Sequence, residues 1–276
     1  MSIPAGRPIR SLVLDMDGVL WRGHAPLPGA GRLFEVLRAA GLSFALATNN
    51  ATETPQMFRR RLLEMGLDVP DELIVTSAEA TAAHLAAVFG RGAAIYAIGE
   101  AGLTHALKRH GLQVAAADGD GRAADEVVAV AAGLTRQVCY HDLALAAAWL
   151  QRGAPLFGTN PDVTLPTESG PQPGAGAIIA FLEAAGQTKA TIIGKPQPIL
   201  LAEALRRLGA EPAESLMVGD RLATDVAGGL NLGMQTALIL TGVSTRAESA
   251  ESSMPPDYIF ENLLELAHFL EPAAAQ

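Results

Sequence analysis

The chain has 276 residues, 49% of them hydrophobic, with 20 Lys and Arg against 29 Asp and Glu, a formal charge of −9 at pH 7. At roughly 100–200 residues per domain this is one large domain or two moderate ones, and the apolar content excludes a disordered chain. The acidic balance, without a Lys/Arg cluster, argues against nucleic acid or an anionic membrane as main partner; the single cysteine, Cys139, excludes an internal disulfide and a Cys-based zinc site.

In chain order, Ile9–Leu14 reads as a buried strand and Arg32–Ala40 as a helix ended by Gly41, followed by a second strand at Phe44–Ala47. Thr54 and Pro55 make a helix start, a Thr cap with Pro in the first turn, and that helix runs to Gly66. A third strand is expected at Leu73–Val75, with Ser77 capping the next helix. The middle of the chain has strand-like runs at Ala94–Ile98, Glu126–Val130 and Leu156–Gly158, separated by helical stretches at Gly102–His110 and Leu143–Arg152. Strands return at Thr191–Ile193, Leu216–Val218, Ala237–Leu240 and Tyr258–Phe260, with helices at Pro198–Leu208 and Asn262–Leu270. Alternating β and α elements imply a parallel sheet covered by helices on both faces. The expected fold is therefore α/β, a doubly wound parallel-sheet core in two parts, 1–80 and 188–276, with a second α/β domain inserted at 81–187.

No stretch reads as a membrane span. The longest uncharged one, Val226–Thr245, holds four glycines with Asn231 and Gln235. The apolar run Ser11–Leu14 is too short for a signal-peptide core, so a cytoplasmic location is expected.

The chemistry concentrates at strand ends, where open α/β sheets bind ligands. Asp15 and Asp17 follow the first strand, two apart, and would point to the same side if the strand continued. Such a pair is costly without a cation, so a hard divalent metal such as Mg²⁺ is implied; Gly18 lets the backbone approach a ligand closely. Thr48-Asn49-Asn50 ends the second strand with a hydroxyl and amides suited to an anion such as phosphate, although the same triplet is ordinary turn chemistry. Lys195, fixed before Pro196, would bring a positive charge beside the carboxylates. Asp220 ends another buried strand, and Asp225 falls in the opening turn of the following helix, where an acid would also complement the helix dipole. The six histidines lack metal-ligand spacing. Cys139 is expected to be a small buried residue, Trp21 to shape the loop it follows, and Trp149 to pack in a core. Walker A and Gly-x-Gly-x-x-Gly patterns are absent after the first strand, which removes NTPase and dinucleotide readings.

These elements resemble the motifs of the haloacid dehalogenase-like (HAD) phosphatase superfamily: Asp15-Met16-Asp17-Gly18, Thr48, Lys195, and Gly219-Asp220 with Asp225. Gly18-Val19-Leu20-Trp21, Thr48-Asn49-Asn50, Thr159-Asn160-Pro161-Asp162, Gly194-Lys195-Pro196, Gly219-Asp220-Arg221-Leu222 and Leu240-Thr241-Gly242-Val243 resemble its 4-nitrophenylphosphatase and NagD-type subfamily, with a C2-type cap. The resemblance spans about Ile9 to Phe269. It implies a Rossmann-like core, an inserted cap, and hydrolysis of a phosphate monoester in two steps. Asp15 would be the nucleophile and Asp17 the general acid and base. Gly18, Thr48, Asn49 and Lys195 would bind the phosphoryl group, and Asp15, the Asp17 carbonyl, Asp220 and Asp225 would hold Mg²⁺, the last directly or through water.

The stretch Thr159–Thr167 resembles the cap's specificity loop, so Asn160, Asp162 and Leu165 are the expected specificity residues. Relatives acting on pyridoxal phosphate tend to carry a His near Leu165, and this loop lacks the cation that a carboxylate substrate such as phosphoglycolate would want. Gly133-Leu134-Thr135-Arg136 departs from the family's Gly-Phe-Asp-Arg, which leaves a substrate contact there in doubt. The expected partner is a small phosphate ester such as 4-nitrophenyl phosphate, a sugar phosphate or a nucleoside monophosphate, with a homodimer left open. The alternatives are a phosphoglycolate or pyridoxal-phosphate phosphatase, a phosphomutase and a non-catalytic phosphometabolite-binding protein.

Overall fold

The computed structural model describes residues 8–23, 25–115, 127–167 and 170–271. The expected strand Glu126–Val130 therefore begins, and His24 lies, outside the described residues. The elements run β1 (Ser11–Leu14), β2 (Trp21–Arg22), β3 (Ala25–Pro26), α1 (Ala30–Ala39), β4 (Ser43–Thr48), α2 (Pro55–Glu64), β5 (Ile74–Thr76), α3 (Ser77–Phe89), β6 (Ala94–Ile98) and α4 (Ala101–Arg109). There follow β7 (Gln113–Ala115), β8 (Val127–Ala132), α5 (Tyr140–Gln151), β9 (Leu156–Gly158), β10 (Thr164–Thr167), β11 (Gly170–Pro173), α6 (Ala175–Gly186) and β12 (Ala190–Ile192). The chain ends with α7 (Pro198–Leu208), β13 (Ser215–Gly219), α8 (Ala227–Leu232), β14 (Gln235–Ile239), α9 (Arg246–Glu251), β15 (Tyr258–Phe260) and α10 (Leu263–Leu270).

These elements form two compact units: Met1–Thr48, Phe58–Val75 and Lys195–Gln276 make the first, Asn49–Met57 and Thr76–Gly194 the second. The expected insertion, 81–187, lies within the second unit, which also takes in Asn49–Met57 and extends from Thr76 to Gly194. Ser77 is not the cap of α3. Thr76 is, its Oγ1 accepting from the Glu79 amide at 3.1 Å, and Ser77 is the first helical residue.

In the first unit six strands are ordered β15-β14-β13-β1-β4-β5. Strand β1 pairs in parallel with β13 and β4, β13 with β14, and β14 with β15. From β1 the chain winds outward through β4 and β5, and from β13 it winds the other way, so the strand order reverses between β1 and β13. The carboxyl ends at such a reversal are left uncovered by the crossover connections, which is why ligands bind there. Asp15 and Asp220 are the residues that leave β1 and β13 at this point.

Leu12, Leu14, Leu46, Leu216 and Val218 from the sheet, Phe34 and Leu37 from α1, Phe58 and Leu62 from α2, and Leu263 and Leu266 from α10 build one wholly buried cluster. Each such side chain removed from water stabilises the unit by about 1.5–3 kcal/mol, so the strand ends carrying the carboxylates stand on a rigid base. Helix α7, started by Pro198 in its first turn, packs against β1 and β4. The second unit has its own sheet, ordered β12-β9-β8-β6-β7 with every pairing parallel, and its own core around Tyr96, Val130, Trp149, Leu156 and Leu182. Among the described residues no helix is long and apolar enough to cross a membrane.

Candidate active site

Strand β1 stops at Leu14, and the turn after it is tight. The Leu20 amide donates to the Met16 carbonyl at 2.8 Å and the Gly18 amide to the Trp21 carbonyl at 2.7 Å. Gly18 has φ +84°, and a Cβ there would lie 2.4 Å from Asp220 Oδ2, so glycine is required both for the turn and for the approach of the carboxylate. Because the strand ends before Asp17, the expectation that both carboxylates would project to one side by strand alternation does not hold. Asp15 turns inward and is 7% exposed; Asp17 is exposed, and its Oδ1 accepts from the Trp21 indole Nε1 at 2.7 Å.

Lys195 is 2% exposed and ties the site together. Its Nζ lies 2.7 Å from Asp15 Oδ1 and 2.7 Å from Asp225 Oδ1, and donates to the Ala47 carbonyl at 3.0 Å. The ammonium is thus hydrogen-bonded to Asp15 and the Ala47 carbonyl and ion-paired with Asp225. Burial alone would drive proton loss, but Asp15 and Asp225 outweigh it and hold the ammonium above the ordinary lysine range.

Asp225 sits in a π-helical turn, Leu222–Val226, just before α8. Its Oδ2 accepts from the Asp220 and Arg221 amides at 3.2 and 3.0 Å, so both of its oxygens are engaged. Asp220, 1% exposed, accepts from the Val243 amide through Oδ2 at 2.8 Å, while its Oδ1 is buried without a hydrogen-bond partner among the described residues. The stretch Thr241–Ser244 braces this corner: the Ser244 amide donates to the Asp220 carbonyl at 3.0 Å, and Thr241 Oγ1 donates to the Gly18 carbonyl at 2.7 Å. Arg22 donates to the Thr241 carbonyl.

Asp15, Asp220 and Asp225 each offer an oxygen, and the three lie within 4.8 Å of one another, all buried. Three carboxylates against one ammonium leave two negative charges uncompensated when all are ionised. The strain shows at Asp15 and Asp220. Burial, together with Asp225 and Asp220, pushes Asp15 well above the usual carboxylate range against the pull of Lys195. Burial first and Asp225 second push Asp220 up to about 6. An orphaned buried oxygen in an all-oxygen donor set short of two positive charges fits a hard divalent cation such as Mg²⁺.

Of the remaining expected residues, Thr48 is buried at the end of β4 in the first unit. The others belong to the second unit. Asn49 gives its carbonyl to Ser77 Oγ at 2.7 Å and to Asn160 Nδ2 at 2.9 Å. Asn160 Oδ1 accepts from the Asp162 amide at 3.1 Å, so each end of its amide group makes a bond to main chain. Asp162 and Leu165 are half-buried. Arg136 is held by Glu100, Nη1 to Oε1 at 2.9 Å and to Oε2 at 3.2 Å. Cys139 is exposed and not buried: it caps α5, with Sγ 3.2 Å from Asp142 Oδ2.

Carboxylates at this reversal point with a lysine locked among them are in keeping with what the comparisons find. A family model described as haloacid dehalogenase-like hydrolase matches residues 12–113, and one described as HAD-hydrolase-like matches residues 192–266. An acid sugar phosphatase of Staphylococcus aureus strain USA300 is 37% identical over 262 residues, covering 95% of this chain and 98% of that protein. Among solved structures, the 4-nitrophenylphosphatase from Thermotoga maritima aligns at a TM-score of 0.85 and 35% identity over 94% of this chain and 97% of its own. NagD from E. coli K-12 aligns at 0.84 and 31% over 94% and 98%. The chain belongs to the haloacid dehalogenase-like hydrolase family.

Proposed function

We propose that the protein is a Mg²⁺-dependent phosphomonoester hydrolase that works through an aspartyl-phosphate on Asp15 and prefers neutral or hydroxyl-rich phosphate esters, sugar phosphates or nucleoside monophosphates. The observation that carries the mechanism is the buried Asp15–Lys195 contact of 2.7 Å at the end of β1. Lys195 fixes one Asp15 oxygen and its charge favours the ionised form, which leaves the other oxygen to attack phosphorus. In the first step the Asp15–phosphorus bond forms, the ester bond breaks, and Asp17 gives its proton to the leaving oxygen. In the second, Asp17 takes a proton from water as the water oxygen attacks phosphorus and releases the Asp15 carboxylate. Thr48, Asn49 and the amides near Gly18 are the groups that would receive the phosphoryl oxygens. Lys195, held between Asp15, Asp225 and the Ala47 carbonyl, would act on the phosphoryl group mainly as a fixed positive charge. Mg²⁺, held by Asp15, Asp220, Asp225 and the Asp17 carbonyl, would offset the repulsion between the phosphate and the Asp15 carboxylate.

The substrate class rests on the second unit, which would serve as the cap. Leu165 is apolar where a polar ring contact would suit pyridoxal phosphate. Arg136, the cation nearest in sequence to the departures noted above, is already neutralised by Glu100. The names of the relatives, an acid sugar phosphatase and 4-nitrophenylphosphatases, point the same way. The test is to rank kcat/KM over sugar phosphates, nucleoside monophosphates, pyridoxal phosphate and phosphoglycolate, with Asp15→Asn as the control on 4-nitrophenyl phosphate. Asp15→Asn should keep the fold and lose turnover, because an amide is a poor nucleophile. Near wild-type turnover in that variant would overturn the mechanism, and phosphoglycolate as the best substrate would overturn the substrate class alone.

A further inference from the structure

An exposed aspartate ordinarily samples several rotamers, yet Asp17, which must meet first a leaving oxygen and then a water, is bound by a buried donor. Trp21 is fully buried, and its Nε1 donates to Asp17 Oδ1 at 2.7 Å, the short length of a charge-assisted hydrogen bond. The turn that presents the indole is itself pinned, the Trp21 carbonyl accepting from Gly18 and the Trp21 amide donating to Met16 at 3.3 Å. The ring is fixed too. It stacks on Phe58 with centroids 6.3 Å apart and planes 11° from parallel, and the Arg61 guanidinium lies 5.2 Å from its centroid. A cation over the ring face withdraws electron density from the indole, which makes its N–H a stronger donor.

We propose that Trp21 is a positioning residue that selects the one orientation of Asp17 in which Oδ2 is left for proton transfer, with Phe58 and Arg61 holding the indole in place. This rests on the reading of Asp17 as the general acid and base. A side chain that only filled the core would have no need to aim its one polar atom at the exposed carboxylate four residues before it.

The experiment compares two leaving groups. 4-Nitrophenolate departs as a stabilised anion and needs little protonation, whereas the alkoxide of a sugar phosphate needs the acid. The quantity to compare is kcat/KM, since it covers steps only as far as formation of the aspartyl-phosphate. A general acid contributes about 10²–10⁴-fold and misplacement by about an ångström costs up to about 10². Trp21→Phe, which keeps the ring and deletes the donor, should therefore lower kcat/KM for the sugar phosphate about 10–100-fold and for 4-nitrophenyl phosphate only about 3-fold. Equal losses on both substrates would mean a structural role and overturn the proposal.

A second measurement needs no Trp21 variant. The chain has two tryptophans, and Trp149 Nε1 has no acceptor among the described residues. In a ¹H–¹⁵N spectrum the Trp21 indole signal should therefore lie downfield of that of Trp149, and Asp17→Asn should move it upfield while leaving Trp149 in place. An unmoved Trp21 signal would refute the contact. If Asp17→Asn retained full activity on the sugar phosphate, the acid–base reading itself would fail, an outcome distinct from the failure of Trp21 alone.

Discussion

Replacing Asp220 by Asn should make the metal-free protein more stable, not less. The reasoning starts from a carboxyl group pushed from 3.8 up to about 6 by burial and by Asp225, against weaker help from the Val243 amide, Arg221 and Lys195. The folded protein thus holds this proton more tightly than the unfolded chain does. Its stabilising contribution is complete below about pH 4 and is lost as pH rises through about 6. The displacement amounts to about 3 kcal/mol, an upper figure because a carboxyl that is not wholly buried is partly screened. Asn keeps an oxygen for the Val243 amide and carries no charge, so it escapes this loss. At pH 7.5 in EDTA, Asp220→Asn should melt above wild type by about 6 °C, taking about 2 °C per kcal/mol for a protein of this size. At pH 4.5 the two should melt within about 2 °C of each other. Adding Mg²⁺ at pH 7.5 should raise the wild-type midpoint and leave the variant nearly unmoved, since ligand binding to the folded state alone stabilises it by mass action. Scanning calorimetry at the two pH values, with and without Mg²⁺, checks all of this. A variant less stable than wild type in EDTA at both pH values would refute the charge argument.

Lys195→Met should be strongly destabilising, by about 3–5 kcal/mol in urea melts, because it strands Asp15 and Asp225 in the interior without their cation. A loss below about 1 kcal/mol would mean that the carboxylates are already protonated at neutral pH. In the second unit, Leu165→His should raise kcat/KM for pyridoxal phosphate relative to the wild type and leave 4-nitrophenyl phosphate within a few fold. An unchanged ratio would show that position 165 does not read the ester group.

The first unit was nearly legible from sequence because its signals are local. Buried parallel strands are short apolar runs, and a carboxylate directly after β1 and after β13 marks the two ends that form the site. Helix Pro198–Leu208 was read to the residue, since Pro in the first turn and Gly209 after it punctuate both ends. Features set by tertiary contacts escaped. The hairpin of β10 and β11 contains Pro166, Pro171 and Pro173, residues that argue against a strand in any propensity scheme. Helix α6 is apolar on most of its surface and glycine-rich, so no amphipathic period announced it. Projecting Asp15 and Asp17 to one side assumed that β1 continued, whereas the turn fixed by Gly18 ends it. The Trp21–Asp17 bond spans only four residues, yet sequence offered no way to know which side of the turn the indole would occupy.

Asn160 shows how a residue of a motif can carry structure within its own unit. Within the second unit, the Asn49 carbonyl receives both Ser77 Oγ and Asn160 Nδ2, and a Cβ on Gly194 would lie 2.5 Å from the Thr159 carbonyl and 2.6 Å from Asn49 Oδ1. Asn49 and Gly194 are two of the four ends at which the chain enters or leaves this unit, and Asn160 bonds to the first of them. Each end of the Asn160 amide thus makes one bond to main chain, and losing the side chain would leave buried partners unsatisfied at a cost of about 1–3 kcal/mol each. Of the three residues expected to read the substrate, Leu165 can be changed without touching the Asn160 bonds, which is why the substitution that tests specificity is placed there.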